Sequence, residues 1–286
     1  MSAITAAAPR ATSPITSPVT SPVTATSETA ADRDASPNRI LAAALFGFFL
    51  VGLDALVVTV ALPAISHSLS GGMAGLQWVV DGYTLAFAAL MLSSGALSDR
   101  VGADRAYKIG LIGFTAASVA CGVAPNLGLL IAARLVQGTA ASVMLPASLA
   151  LVRQAFPEVG ARAKAIAIWT AAGSSAAAAG PVAGGAITSA LSWRAIFFLN
   201  VPAGILALYL LAKAPRSPRQ ATHFDLAGLV TSVLTLAGLT YAVIEGGAKG
   251  FDSTPVLASL GVAAGTADAR AGAVPRPDRE IGRAHV

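Results

Sequence analysis

The chain has 286 residues, of which 55% are hydrophobic and only 12% charged, with a formal net charge of +5 and a single cysteine. A soluble domain carries about 25% charged residues, so this chain lacks the charge to coat a soluble surface, and Cys121 alone excludes an internal disulfide or a multi-cysteine metal site. Its basic residues are spread over short connectors rather than gathered in one patch, which excludes the usual footprint of a nucleic-acid partner and leaves the lipid bilayer as the surrounding medium.

Residues 1–39 are rich in Ser, Thr, Pro and Ala, with TSPI, TSPV and TSPV in tandem from Thr12 to Val23. Such a segment buries too little apolar surface to offset its ordering entropy and is expected to be a disordered tail. It does not read as a secretory signal, because the first apolar run begins only at Ile40 and is too long. Seven apolar runs follow, at Ile40–Leu62, Leu76–Leu97, Ala106–Val123, Leu127–Leu151, Ala165–Leu191, Ala195–Leu211 and Leu226–Ile244. A helix of about 20 residues crosses the hydrocarbon core, and lipid leaves helices as the way to satisfy the backbone. The fold class expected is an all-α integral membrane bundle. An eighth run starts at Pro255 (PVLASLGVAAG) and gives way to polar sequence. The closing EIGRAHV can be encoded by a string like a common sequencing adapter, so residues 255–286 are expected to be an aborted eighth helix and an artefactual tail, with the frame suspect from about Gly261.

Lys and Arg alternate along the connectors. The tail has Arg10, Arg33 and Arg39; later connectors hold Arg100, Arg105 and Lys108, then Arg153, Arg162 and Lys164, then Lys213, Arg216 and Arg219. The connectors between these hold none, none, Arg194 and Lys249. By the positive-inside rule the N-terminus is expected in the cytoplasm. Trp78 and Trp193 fall at predicted outer ends, as an aromatic belt requires. The three histidines do not cluster, so no metal site is expected, and no Gly-rich phosphate loop is present to take energy from ATP.

Several charges sit inside the apolar runs. Asp54 lies about 14 residues into the first run, roughly 21 Å along the helix. An ionisable group at membrane depth costs about 2.5–3.5 kcal/mol to insert and points to function by default. It could take up a proton, neutralise a cationic substrate, or serve as a structural partner of a helix end or an Arg. Arg134 cannot give up its proton in practice, but it can lower the pKa of a nearby carboxylate; a purely structural buried pair is the alternative. Asp81 lies about a turn and a half below the outer end of the second run, where it either meets cations at an entrance or faces interfacial water. Gly180, Pro181, Gly184 and Gly185 predict a bend and a tight helix seam. Gly95 and Gly102 suggest close backbone approach or turns with positive φ.

Residues 95–102 form G-x-L-x-D-R-x-G, which resembles the cytoplasmic signature between helices two and three of the major facilitator superfamily. LIAARLVQG at 130–138 resembles its fourth-helix motif, and AAAAGPVAGG at 176–185 its fifth-helix antiporter motif. LDALVVTVALP at 53–63, QWVVDGYTLAFAAL at 77–90 and WRAIFFLNVP at 193–202 resemble the fourteen-helix drug–proton antiporters of the EmrB/QacA type. The sequence departs from these patterns at Leu56, Thr59, Ala103, Asp104 and Ala176.

The resemblance implies a major-facilitator-type bundle comprising the first six-helix half at 40–211, a cytoplasmic loop and one extra helix at 212–254, and a truncated end. It implies export of small amphipathic or cationic drugs by alternating access, driven by the proton gradient without a cofactor. Asp54, Arg134 and Asp81 would serve proton coupling or substrate. Asp99, with Gly95, Arg100 and Gly102, would latch a cytoplasmic gate against a helix of the C-terminal half, which is the missing partner. The 286-residue chain alone is therefore expected not to transport. A half-size membrane binding or regulatory protein needing a second chain is the alternative, and an integral-membrane enzyme is disfavoured because no His, Asp, Glu or Cys cluster lies at a loop edge.

Overall fold

The computed structural model describes residues 36–212, 214–219 and 225–273. Residues 1–35, most of the expected disordered tail of 1–39, and residues 274–286, part of the expected artefactual end, lie outside the described residues, and Pro37–Arg39 belong to the first helix. The described part is helical: α1 (Pro37–Leu69), α2 (Met73–Val101), α3 (Ala103–Gly122), α4 (Leu127–Ala155), α5 (Val159–Ala190), α6 (Ala195–Phe198), α7 (Asn200–Leu211), α8 (Leu226–Lys249) and α9 (Thr254–Ala273). Five of these, α1, α2, α4, α5 and α8, are long and apolar enough to cross a membrane.

Local chemistry sets the helix ends. Pro37 opens α1 at a position where its missing N–H costs nothing. The Asn126 side chain accepts the Leu129 N–H at 2.9 Å to cap α4. Glu158 caps α5 by accepting the Gly160 N–H at 2.8 Å and the Ala161 N–H at 2.5 Å, and Asp225 caps α8 through the Gly228 N–H at 2.7 Å. Between α2 and α3 the chain reverses on Gly102 alone, with φ at +99°. A side chain is strained at that φ, and a Cβ there would also lie 3.2 Å from the Ser217 carbonyl oxygen.

The sixth apolar run, Ala195–Leu211, is helical along its length and is divided into α6 and α7 only at Leu199, whose φ and ψ of −59° and −32° are themselves helical. Pro202 has no N–H to donate to the Phe198 carbonyl one turn back, and α6 stops at Phe198. The eighth apolar run, PVLASLGVAAG from Pro255, lies within helix α9, which extends to Ala273. Pro181 lies inside α5.

α1 packs against α4, α5 and α7; α3 packs against α4 and α7; α2 packs against α4 and, on its other side, α8; α9 packs on α8. Two apolar clusters stack along this bundle. One contains Leu50, Tyr107, Phe114, Met144 and Ala207. The other contains Leu53, Val79, Cys121, Leu130 and Phe197. The border between them falls near the middle of α1, α2, α3 and α4 and between α6 and α7, and polar side chains collect at that level.

Candidate functional site: a buried carboxylate–guanidinium cage

Asp54 and Arg134 meet at the border of the two apolar clusters. They are 3% and 0% exposed, and the Arg134 Nη1–H donates to Asp54 Oδ2 in an ion pair. Sequence spacing could not pair them, because 80 residues separate them. Two amides complete the carboxylate shell. Gln137 Nε2 donates to Asp54 Oδ1 at 2.9 Å and Asn200 Nδ2 to the same oxygen at 2.8 Å. Both amides also reach Ser118 Oγ, at 2.7 and 3.0 Å. Gln137 Oε1 in turn accepts from Arg134 Nη1 at 2.9 Å and from the Cys121 thiol at 3.5 Å.

Arg134 is held on its other faces as well. Its Nε–H donates to the Val79 carbonyl at 3.0 Å, and its guanidinium carbon stands 4.1 Å from the centre of the Tyr83 ring. The Tyr83 hydroxyl donates to the Val51 carbonyl at 3.3 Å. Arg134 Nη2 is buried without a hydrogen-bond partner. Five elements supply the cage: α1, α2, α3, α4 and α7. Asn200, the first residue of α7, brings its amide to the cage from that helix.

The cage balances one negative against one positive charge in a low-dielectric interior. Such a pair tolerates loss of either partner badly, since the survivor is a buried unpaired charge. A proton on Asp54 would cancel its attraction for Arg134 while leaving the guanidinium charged.

The other expected site residues lie apart from the cage. Asp81 is half-buried in a cleft between α2 and α8. Asp99 and Arg100 are exposed near the end of α2, and Gly95 faces open space. On α5, Gly180 meets the Leu56 side chain and Gly184 meets the Val57 backbone, where an added Cβ would fall 2.7 and 3.1 Å from its nearest neighbours. Gly185 faces open space. Ala176, which stands where the antiporter pattern has glycine, is matched by Gly52 across the seam, so the gap is filled from α5 rather than α1.

Sequence reasoning missed Ser118, Gln137, Asn200 and Tyr83 as site members. Gln137 and Asn200 carried a usable signal, being amides inside apolar runs where each needs a partner. Ser118 carried none, since a serine in a helix can satisfy itself on its own backbone. Also missed was the role of Asp104. Its carboxylate accepts the Ser217 N–H at 3.0 Å, while Ser217 Oγ accepts the Asp104 N–H at 3.1 Å and donates to Gln154 at 2.7 Å. Asp104 thus ties the 214–219 strap to α3, and Ser217 ties it to α4. Among the described residues no group of three or more His, Cys, Asp or Glu converges.

A family model described as Major Facilitator Superfamily matches residues 44–268. The multidrug resistance protein Stp of Mycobacterium tuberculosis is 43% identical over 220 residues, covering 76% of this chain and 41% of the relative. The methylenomycin A resistance protein of Streptomyces coelicolor is 37% identical over 232 residues, covering 81% of this chain and 49% of the relative. The puromycin resistance protein pur8 of Streptomyces alboniger is 38% identical, covering 76% and 44%. The chain thus spans less than half the length of these relatives. Among solved structures, a bacterial homologue of the human lysosomal transporter Spinster, inward-facing and unoccupied, aligns with a TM-score of 0.54 at 19% identity, covering 82% of this chain and 60% of that one, and supports the fold. With the family model matching from α1 into α9, and with apolar helices of membrane-crossing length, this multi-pass membrane chain belongs to the Major Facilitator Superfamily.

Proposed function

We propose that the chain is the N-terminal part of a proton-driven exporter of small amphipathic or cationic drugs, seated in the bacterial inner membrane with its N-terminus in the cytoplasm. The observation that carries this reading is the sealed Asp54–Arg134 cage at the middle of the bundle. Drug-resistance relatives at 37–43% identity support the drug as cargo. The alternating basic connectors support the orientation.

In this reading, entry of a proton at Asp54 releases Arg134 from its ion pair. The Gln137 and Asn200 amides, which donate to the carboxylate in its charged form, must then reorient. Because the cage ties α1 to α3, α4 and α7, its rearrangement changes how these helices hold one another, as rocking between inward and outward states requires. The small-residue seam between α1 and α5 closes the bundle against leakage. Asp99 and Arg100, exposed at the end of α2, are available to latch a C-terminal half, and the single-residue turn at Gly102 fixes where they point.

The test is ethidium efflux in a pump-deficient bacterial host, with the chain expressed alone and together with the C-terminal half of the Stp relative. The expected outcome is no efflux by the chain alone and gradient-dependent efflux with the second half, reduced at least tenfold by Asp54→Asn. Efflux by the chain alone overturns the need for a second half. Efflux indifferent to Asp54→Asn overturns the coupling role of the cage.

A further inference from the structure

We infer that the 214–219 strap is a releasable clasp that couples the position of α8 to the α2–α3 turn, with Ser217 as the positioning residue that caps α3 from outside the helix. The inference goes beyond the export reading and rests on it only for the use to which the release is put.

Helix α3 starts without a cap of its own. The first N–H groups of a helix have no partner inside it, and Gly102, at the capping position, has no side chain to accept one. Ser217, 113 residues away, supplies the acceptor: its Oγ takes the Asp104 N–H at 3.1 Å. Asp104 Oδ1 returns the contact by accepting the Ser217 N–H at 3.0 Å. Within one helix end, this exchange of side chain for backbone is a capping box; here it is split between two segments. The same Ser217 hydroxyl donates to Gln154 Oε1 at 2.7 Å, so it fixes the strap to α3 and α4 at once. Its carbonyl oxygen closes over Gly102, whose φ of +99° makes the turn. Asp104 is a position at which the sequence departs from the superfamily pattern, so the pattern does not supply this contact.

The seat is built to open. Ser217 is only half-buried and Gln154 is exposed, so water can replace both of their hydrogen bonds at small net cost. Asp104 is buried, but its Oδ2 has Lys108 Nζ at 3.7 Å one turn along α3, a partner that remains when the strap leaves. The strap follows α7 and precedes α8. Pro215 and Pro218 flank Arg216 and Ser217 and fix two of its φ angles, which makes it a stiff connection. Because α8 meets the bundle along α2, a shift of α8 against α2 pulls on Ser217. The seated strap fixes the direction of Asp99 and Arg100 at the end of α2, and the released strap frees them.

The test is residue-resolved hydrogen exchange on the purified 286-residue chain in detergent. The Asp104 amide is the reporter, since its protection comes from Ser217 Oγ rather than from a bond within α3. Ser217→Ala is expected to speed its exchange about tenfold, and Ser217→Thr, which keeps the hydroxyl, to leave it within about twofold. Leu111, buried in the middle of α3, is expected to stay protected in both, which shows the bundle intact. The coupling is tested by wedging α8 away from α2. Ala88→Trp and Thr240→Trp, on the two walls of the α2–α8 cleft, are each expected to speed Asp104 exchange about fivefold or more without touching Leu111. Leu257→Trp, at an exposed position of α9, is expected to change neither amide. An Asp104 amide that exchanges alike in wild type and Ser217→Ala overturns the clasp. Exchange at Asp104 as slow as at Leu111 overturns its release, and indifference to both wedges overturns the coupling to α8. None of these readouts requires transport, so the efflux assay with the second half judges the export reading separately.

Discussion

Asp54 and Arg134 are individually expensive and jointly tolerable, and this asymmetry can be measured. Truncating one member leaves the other charged in a dry interior, with an expected loss of about 3–5 kcal/mol. Replacing both with apolar side chains of similar volume removes the desolvation cost along with the attraction. Asp54→Leu and Arg134→Met are therefore each expected to lower the melting temperature of the purified chain sharply, and the double variant to regain most of the loss. Independent, additive losses would show that the two charges do not depend on each other. The sequence displayed both charges as anomalies in apolar runs, and membrane depth marked them as functional. It could not display their pairing, since helix periodicity relates residues three or four apart and says nothing about residues on separate helices. The same gap hid the donors of the shell. Asn200 reaches Asp54 from a different stretch of chain, 146 residues away, a distance that no local pattern spans.

Helix pairs carry the next level of organisation. The α1–α5 seam depends on which glycines of α5 actually face α1, and the four-residue pattern does not distinguish them. Gly180→Val is expected to drive a side chain into Leu56, where a Cβ already falls 2.7 Å from the neighbouring Cβ, with a cost of about 1–3 kcal/mol. Gly185→Ala, with nothing within 4 Å of its Cβ, is expected to be neutral. Thermal melts of the two variants check the contrast, and equal losses would disprove the seam geometry. At the α2–α3 turn, Gly102→Ala meets both a positive φ of +99° and the Ser217 carbonyl oxygen. A loss of about 1–3 kcal/mol is expected. Protease cleavage within the 214–219 strap should become faster, because that strap is held by Asp104 and Gln154 beside the same turn. The seven apolar runs coincide with α1 to α8, the sixth of them covering both α6 and α7. The continuation of α9 to Ala273 was not legible, because Asp268 and Arg270 end the apolar pattern. The structure explains how Arg270 is accommodated: it pairs with Asp225 at 2.7 Å, and Thr235 meets Thr266 at 2.7 Å along the same α8–α9 contact.

For the molecule as a whole, the helix-terminal carboxylates link the bundle to pH. Backbone N–H donors at Ala161 and Gly160 hold the Glu158 carboxyl below its usual range, and the Gly228 N–H together with Arg270 does the same for Asp225. Both groups therefore bind protons more weakly when the helix ends are formed than when they are frayed. The linkage has one sign: their contribution is complete above the ordinary carboxylate pKa of about 4 and is lost as pH falls through the depressed folded values. Acidification should fray the first turns of α5 and α8. Hydrogen exchange at the amides of Gly160, Ala161 and Gly228, divided by the intrinsic rate at each pH, is the direct readout. Protection at these amides should hold from neutral pH down to about pH 4 and fall below it. In Glu158→Gln and Asp225→Asn it should already be reduced at neutral pH and change little on acidification. Protection that rises on acidification would reverse the sign and remove the caps as its cause. Loss that spreads at once to the middle of α1 and α4 would mean that the bundle yields as one unit rather than from its helix ends.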